Sequence, residues 1–66
     1  MPNFVLNRTY KVPGRRKLIE ETLESRNRAA VNKIYDSWWS DPMTIRIQLI
    51  ERKMESTELI REESRD

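Results

Sequence analysis

Residues 4–12 read Phe4-Val5-Leu6-Asn7-Arg8-Thr9-Tyr10-Lys11-Val12. The alternating set Phe4, Leu6, Arg8, Tyr10, Val12 is apolar at four of five positions, the set Val5, Asn7, Thr9, Lys11 at one of four. Period-2 alternation with β-branched and aromatic residues predicts a strand with one buried face. Pro13-Gly14, which holds the only glycine of the chain, is a turn dipeptide that ends it.

Downstream of that turn the spacing predicts helices. Leu18, Ile19, Thr22 and Leu23 fall at i, i+1, i+4, i+5 and place a first helix over 15–26. Asn27 is read as its left-handed stop residue. Ala30, Val31, Ile34, Tyr35 and Trp38 make a stronger stripe and place a second helix over 29–40, ended by Pro42. Asp41-Pro42 then suits the N-cap and first position of a third helix over 42–61. Its stripe is Met43, Ile47, Ile50 and Met54, either packing on the core or forming a partner seam. Thr44-Ile45-Arg46-Ile47-Gln48-Leu49 also alternates as a strand would. Residues 62–66 are acidic at a helix C-terminus and are expected to fray. The domain reading is 1–41 as a core, 42–61 as a helix packed on it, and 62–66 as a tail.

On this reading the first strand has no partner in the chain, unless 44–49 is also a strand. An unpaired strand with an apolar face is unstable alone. The chain has 66 residues and neither Cys nor His, so disulfides and the common metal centres cannot supplement a small core. A two-fold dimer in which each copy donates one strand to an antiparallel ribbon meets both needs. Tyr10, Val12, Leu18, Leu23, Ile34, Tyr35 and Trp38 are then its core, and Trp39 lies off the main stripe. Stacking of Tyr35, Trp38 and Trp39 on a single-stranded nucleic acid is the alternative use of these rings.

The order of strand, Pro13, helix, turn at Asn27-Arg28 and helix resembles the ribbon-helix-helix family of Arc-type DNA-binding dimers. The opening Met1-Pro2-Asn3-Phe4-Val5-Leu6 and Ile34-Tyr35 in the second helix add to it. The likeness spans residues 1–40; Asn27 replaces a glycine, Ala29 replaces a Ser or Thr, and the alternating stretch is nine residues long rather than six. The resemblance implies a mainly α homodimer with one strand per chain, a small regulator of the viral or plasmid type that binds double-stranded DNA.

Charge gives that reading its candidate site. Residues 1–33 carry eight Lys/Arg against three Glu, a net +5, and residues 34–66 carry five against eight acids, a net −3. Such polarity predicts a basic face for an anionic partner. Asn7, Thr9 and Lys11, on the polar side of the strand, are the candidate base contacts in the major groove. Arg15, Arg16 and Arg28, with the amides of Ala29 and Ala30 at a helix start, are the candidate phosphate contacts. The missing His and Cys remove the usual nucleophilic and acid–base chemistry, so no enzyme, catalytic residue, cofactor or small-molecule substrate is expected. No apolar run approaches the roughly 20 residues that span a bilayer, and the first is interrupted by Asn7 and Arg8. The expectation is a cytoplasmic protein with no signal peptide and no membrane partner. The alternative function is a small helical interaction module, or an inhibitor of a larger host protein.

Overall fold

A computed structural model describes residues 3–65. The elements are β1 (Asn3–Tyr10), β2 (Ile19–Ser25), α1 (Arg28–Ser40), β3 (Thr44–Arg52) and β4 (Thr57–Ser64). The strands form one antiparallel sheet in the order β2-β1-β3-β4, with α1 against one face. The first strand and the second of the three expected helices stand. The mainly α, ribbon-helix-helix architecture does not: about half of the described residues are strand. Met1 and Pro2 of the opening, and Asp66 of the tail, lie outside the described residues.

Each correction has a physical reason. The stretch 15–26 is a loop followed by β2, in which Ile19, Glu21 and Leu23 alternate with Glu20, Thr22 and Glu24. Its Leu, Glu and Arg content suits a helix, but pairing with β1 from Phe4↔Ser25 to Tyr10↔Ile19 overrides that local preference. The stretch 42–61 is β3, a hairpin turn and most of β4, which runs on to Ser64 instead of fraying. Its apparent 4-3-4 stripe is divided: Ile47 is fully buried, Ile50 points to the other face, and Met54 is 99% exposed at the turn. Asp41-Pro42 opens a turn, not a helix: Asp41 O accepts from Thr44 N at 3.0 Å and Asp41 Oδ1 from Met43 N at 2.9 Å. Asn27 is the N-cap of α1, its φ of −95° far from the left-handed region. Finally, β1 lies between β2 and β3 and pairs along both edges. It cannot join a ribbon with a second copy, and among the described residues no partnerless strand is left to require a dimer.

The core is a single layer between α1 and the sheet. Phe4, Leu6, Ile47 and Leu49 from the strands meet Val31 and Tyr35 from the helix, with Leu23, Ile34, Trp38, Trp39 and Ile60 around them. Tyr10 and Val12 are half-buried and Leu18 is 53% exposed. Residues directly opposite one another in an antiparallel pair share a face, so the register assigns both faces row by row. On the helix side run Leu23-Leu6-Leu49-Arg61 and Glu21-Arg8-Ile47-Glu63. On the open side run Glu20-Thr9-Arg46-Ser64, Thr22-Asn7-Gln48-Glu62 and Glu24-Val5-Ile50-Leu59. Among the described residues, no helix is long and apolar enough to cross a membrane.

Candidate nucleic-acid interface

The β1–β2 connection spans residues 11–18 and carries Lys11, Arg15, Arg16 and Lys17, all exposed, with no acidic residue. Among the described residues none of the four has an ion pair. The molecule is 41 Å long, whereas a strand of eight residues spans about 26 Å, so the hairpin turns extend it beyond the strands. Two backbone bonds fix the first half of this loop. Lys11 N donates to Met43 O at 3.0 Å, and Arg15 N donates to Val12 O at 3.1 Å. Pro13 and Gly14, with φ +85° at the glycine, give the turn the pattern of type II, in which a positive φ at the third position calls for glycine.

The structure gathers some of the residues expected to bind DNA and separates others. Lys11, Arg15 and Arg16 stand on this one loop, joined by Lys17. Thr9 lies on the open face beside Arg46, in the row nearest the loop. Asn7 is one row further in, where its Oδ1 accepts from Thr22 Oγ1 at 2.8 Å. Arg28, Ala29 and Ala30 open α1, at the opposite end of the sheet. Thirteen residues of helix put roughly 20 Å between that end and the loop. There the Ala30 amide already donates to the Asn27 side chain at 3.1 Å and the Val31 amide to Asn27 O at 3.1 Å. Lys17 is legible in the sequence as part of the Arg15-Arg16-Lys17 cation cluster, though not among the phosphate contacts assigned there, and Arg46 is not expected from sequence at all. Arg46 becomes visible only once β3 is paired with β1.

Acids are distributed differently. Six stand on the outer strands, Glu20, Glu21 and Glu24 on β2 and Glu58, Glu62 and Glu63 on β4, and Asp36, Asp41, Glu51 and Glu55 lie elsewhere. The open face adds up to three carboxylates, Glu20, Glu24 and Glu62, against Arg46 and Arg52. A polyanion therefore meets an attractive field at the 11–18 end and a repulsive one along either edge.

The helix side holds a second set of arginines, all engaged. Arg8 is 13% exposed and bridges Glu21 at 2.6 Å and Asp41 at 3.4 Å. It also donates to Thr44 Oγ1 at 3.1 Å and lies over the rings of Tyr10 and Trp38. Arg61 stacks on Tyr35 at 3.8 Å and pairs with Asp36 at 3.1 Å. Arg65 stacks on Trp39 at 3.9 Å and donates to the carbonyls of Trp39, Asp41 and Thr44, closing the C-terminal end of α1. The Tyr35 hydroxyl and Glu63 Oε2 are buried with no partner in hydrogen-bonding geometry. Burial pushes the Tyr35 phenol up to about 12, and the nearby Glu63 charge adds to the shift while Arg61 opposes it. No family model, curated protein or solved structure matches this chain.

Proposed function

We propose that this protein binds double-stranded DNA through the 11–18 hairpin and acts by occupying its site, as a transcription regulator does. The observation that carries this reading is the set of four cations on one eight-residue loop with no acid among them. Like charges this close repel one another, and a row of phosphates relieves that repulsion while releasing counterions. Strand pairing ends at Tyr10 and Ile19, so residues 11–18 are a loop at the end of the sheet, and it is this loop rather than the four-stranded sheet that would enter a groove. Single-stranded nucleic acid is the poorer match: Phe4, Tyr10, Tyr35, Trp38 and Trp39 all lie on the helix side, so the open face offers no ring on which a base could stack. The acidic outer strands limit DNA to the loop end, with Arg46 and Thr9 at its margin.

Salt dependence tests the reading. Neutralising four phosphates gives a slope of log affinity against log salt near −3.6, and two copies on adjacent half-sites give about −7. A homodimer on DNA belongs to this proposal as that second value. An anisotropy titration of a labelled duplex between about 50 and 200 mM salt reads the slope, and a flat, weak response ends the proposal.

One observation favours a second reading, a protein-interaction module. A mostly apolar groove of about 440 Å³ opens beside the loop, lined by Lys11, Pro13, Pro42, Met43 and Ile45. An acidic segment of a larger protein with apolar side chains would complement it. The same titration separates the two, since this reading expects no retention of duplex.

A further inference from the structure

The four loop cations are not equivalent. Lys11 and Arg15 flank a turn closed by the Arg15 N to Val12 O bond and tied to the α1–β3 turn by the Lys11 N to Met43 O bond. Pro13 has a fixed φ, and Gly14 holds the positive φ that completes the turn. Arg16 and Lys17 follow on bends, where no backbone hydrogen bond holds them among the described residues. A side chain that reads a base edge must be held in position, because only then does the correct base gain over the wrong one without an ordering penalty. A side chain that neutralises phosphate needs only charge and reach.

We propose that Arg15 is the base-reading residue of this loop, presented by the Val12–Arg15 turn to guanine in the major groove, while Arg16 and Lys17 hold phosphates. This rests on the DNA reading above. Guanine is the base whose O6 and N7 acceptors match the guanidinium fork. Gly14 then becomes a specificity residue without touching DNA. An added Cβ at Gly14 meets nothing within 4 Å, so an L-side chain there disturbs the turn only through its φ.

The experiment begins by selecting a preferred duplex from a random library with the full-length protein. Affinity for that duplex is then compared with a scrambled duplex of the same composition. Arg15→Ala is expected to reduce the preference about 5- to 150-fold, the discrimination of one bidentate contact, with binding to the scrambled duplex changed far less. Replacing the selected guanine by 7-deazaguanine removes the N7 acceptor. It should cost the unmodified protein a similar factor and cost Arg15→Ala nothing further. Gly14→Ala should lower the preference as Arg15→Ala does, with a melt lowered by several degrees through the strained φ, and D-alanine at position 14, installed by chemical synthesis, should restore both the preference and the melt because it adopts positive φ. Arg16→Ala and Lys17→Ala should weaken both duplexes alike.

If Arg15→Ala weakens both duplexes equally and lowers the salt slope by about one, Arg15 is a phosphate contact and the inference fails while DNA binding stands. The inference fails in the same way if the library yields no preferred sequence. If no duplex is retained in a salt-dependent way, the DNA reading and this inference fall together.

Discussion

Arg8, Arg61 and Arg65 lie on the helix-covered side, each stacked on an aromatic ring and each hydrogen-bonded within the chain. Arg15 and Arg16 stand in the 11–18 loop with neither ring nor carboxylate partner among the described residues. Both groups are arginines in a small basic protein, yet their surroundings give them different work. The first group joins elements whose apolar contacts are few: Arg8 ties β1 to β2 and to the α1–β3 turn, Arg61 ties β4 to α1, and Arg65 ties the end of β4 to the end of α1. The side chains of the second group make no ion pair or ring contact among the described residues and keep their full field for something outside the fold. Net charge alone, at +2, conceals this division.

The largest effect that separates the two groups is expected at Arg8. Arg8→Ala removes hydrogen bonds and ion pairs to Glu21, Asp41 and Thr44 and two ring contacts. Glu21 and Asp41 are 44% and 39% exposed, so water rehydrates them and the loss stays below that of a fully buried pair. A destabilisation of about 2–3 kcal/mol is expected, on the order of 10 °C or more in melting temperature for a chain of this size. Arg15→Ala and Arg16→Ala should stay within about 0.5 kcal/mol. Chemical denaturation reads both. An Arg8→Ala protein as stable as its parent would erase the distinction from the fold side.

The same contrast explains which parts of the molecule could be read from its sequence. The alternation of Phe4, Leu6 and Tyr10 and the stripe of Val31, Ile34, Tyr35 and Trp38 are patterns complete within their own segments, and both elements form where the patterns put them. The type II turn at Pro13-Gly14 is likewise local chemistry. β2 and β4 are outer strands, each pairing along one edge, and their exposed positions are filled with Glu and Thr, apart from Leu59 and Ser64. Their apolar spacing is too sparse to separate period 2 from period 3.6, and only the register with β1 and β3 decides it. The Lys53-Met54-Glu55-Ser56 turn contains no Gly, Pro or Asn to announce it. The loop cations are legible as a cluster because Arg15-Arg16-Lys17 is contiguous. Their separation from Arg28 is not, because that distance depends on α1 running back along the sheet.

An effect of similar ceiling, but confined to alkaline solution and absent at neutral pH, is expected on the helix side at Tyr35. Its phenol, with an ordinary value near 10, is raised to about 12 in the fold. Below about pH 10 folded and unfolded chains both hold the proton, and the contribution to stability is fully present. Between about 10 and 12 the unfolded chain releases the proton first, so stability falls as pH rises through this window. The loss approaches about 2–3 kcal/mol by the upper end. Urea titrations at pH 9, 10, 11 and 12 should show the fall, and Tyr35→Phe should flatten that part of it. An equally steep fall in Tyr35→Phe would assign the alkaline response to other groups.

The smallest expected effect is the sharpest test of the comparison, because it changes the same formal charge at the other hairpin. Lys53 opens the β3–β4 turn, where its Nζ lies 2.9 Å from Glu58 Oε2 and its backbone N donates to Ser56 O at 2.8 Å. The hydrogen bond and charge of Glu58 hold the Lys53 ammonium above its usual range, and the same contact holds the Glu58 carboxyl below its own. That field is closed on itself, at the end of the sheet away from residues 11–18. Lys53→Ala should therefore leave both duplex affinity and salt slope unchanged, whereas Arg16→Ala, a loss of one positive charge as well, should reduce the slope by about one. Equal losses from the two substitutions would show that DNA responds to the net charge of the whole molecule. The unpaired loop would then have no special standing as the binding site.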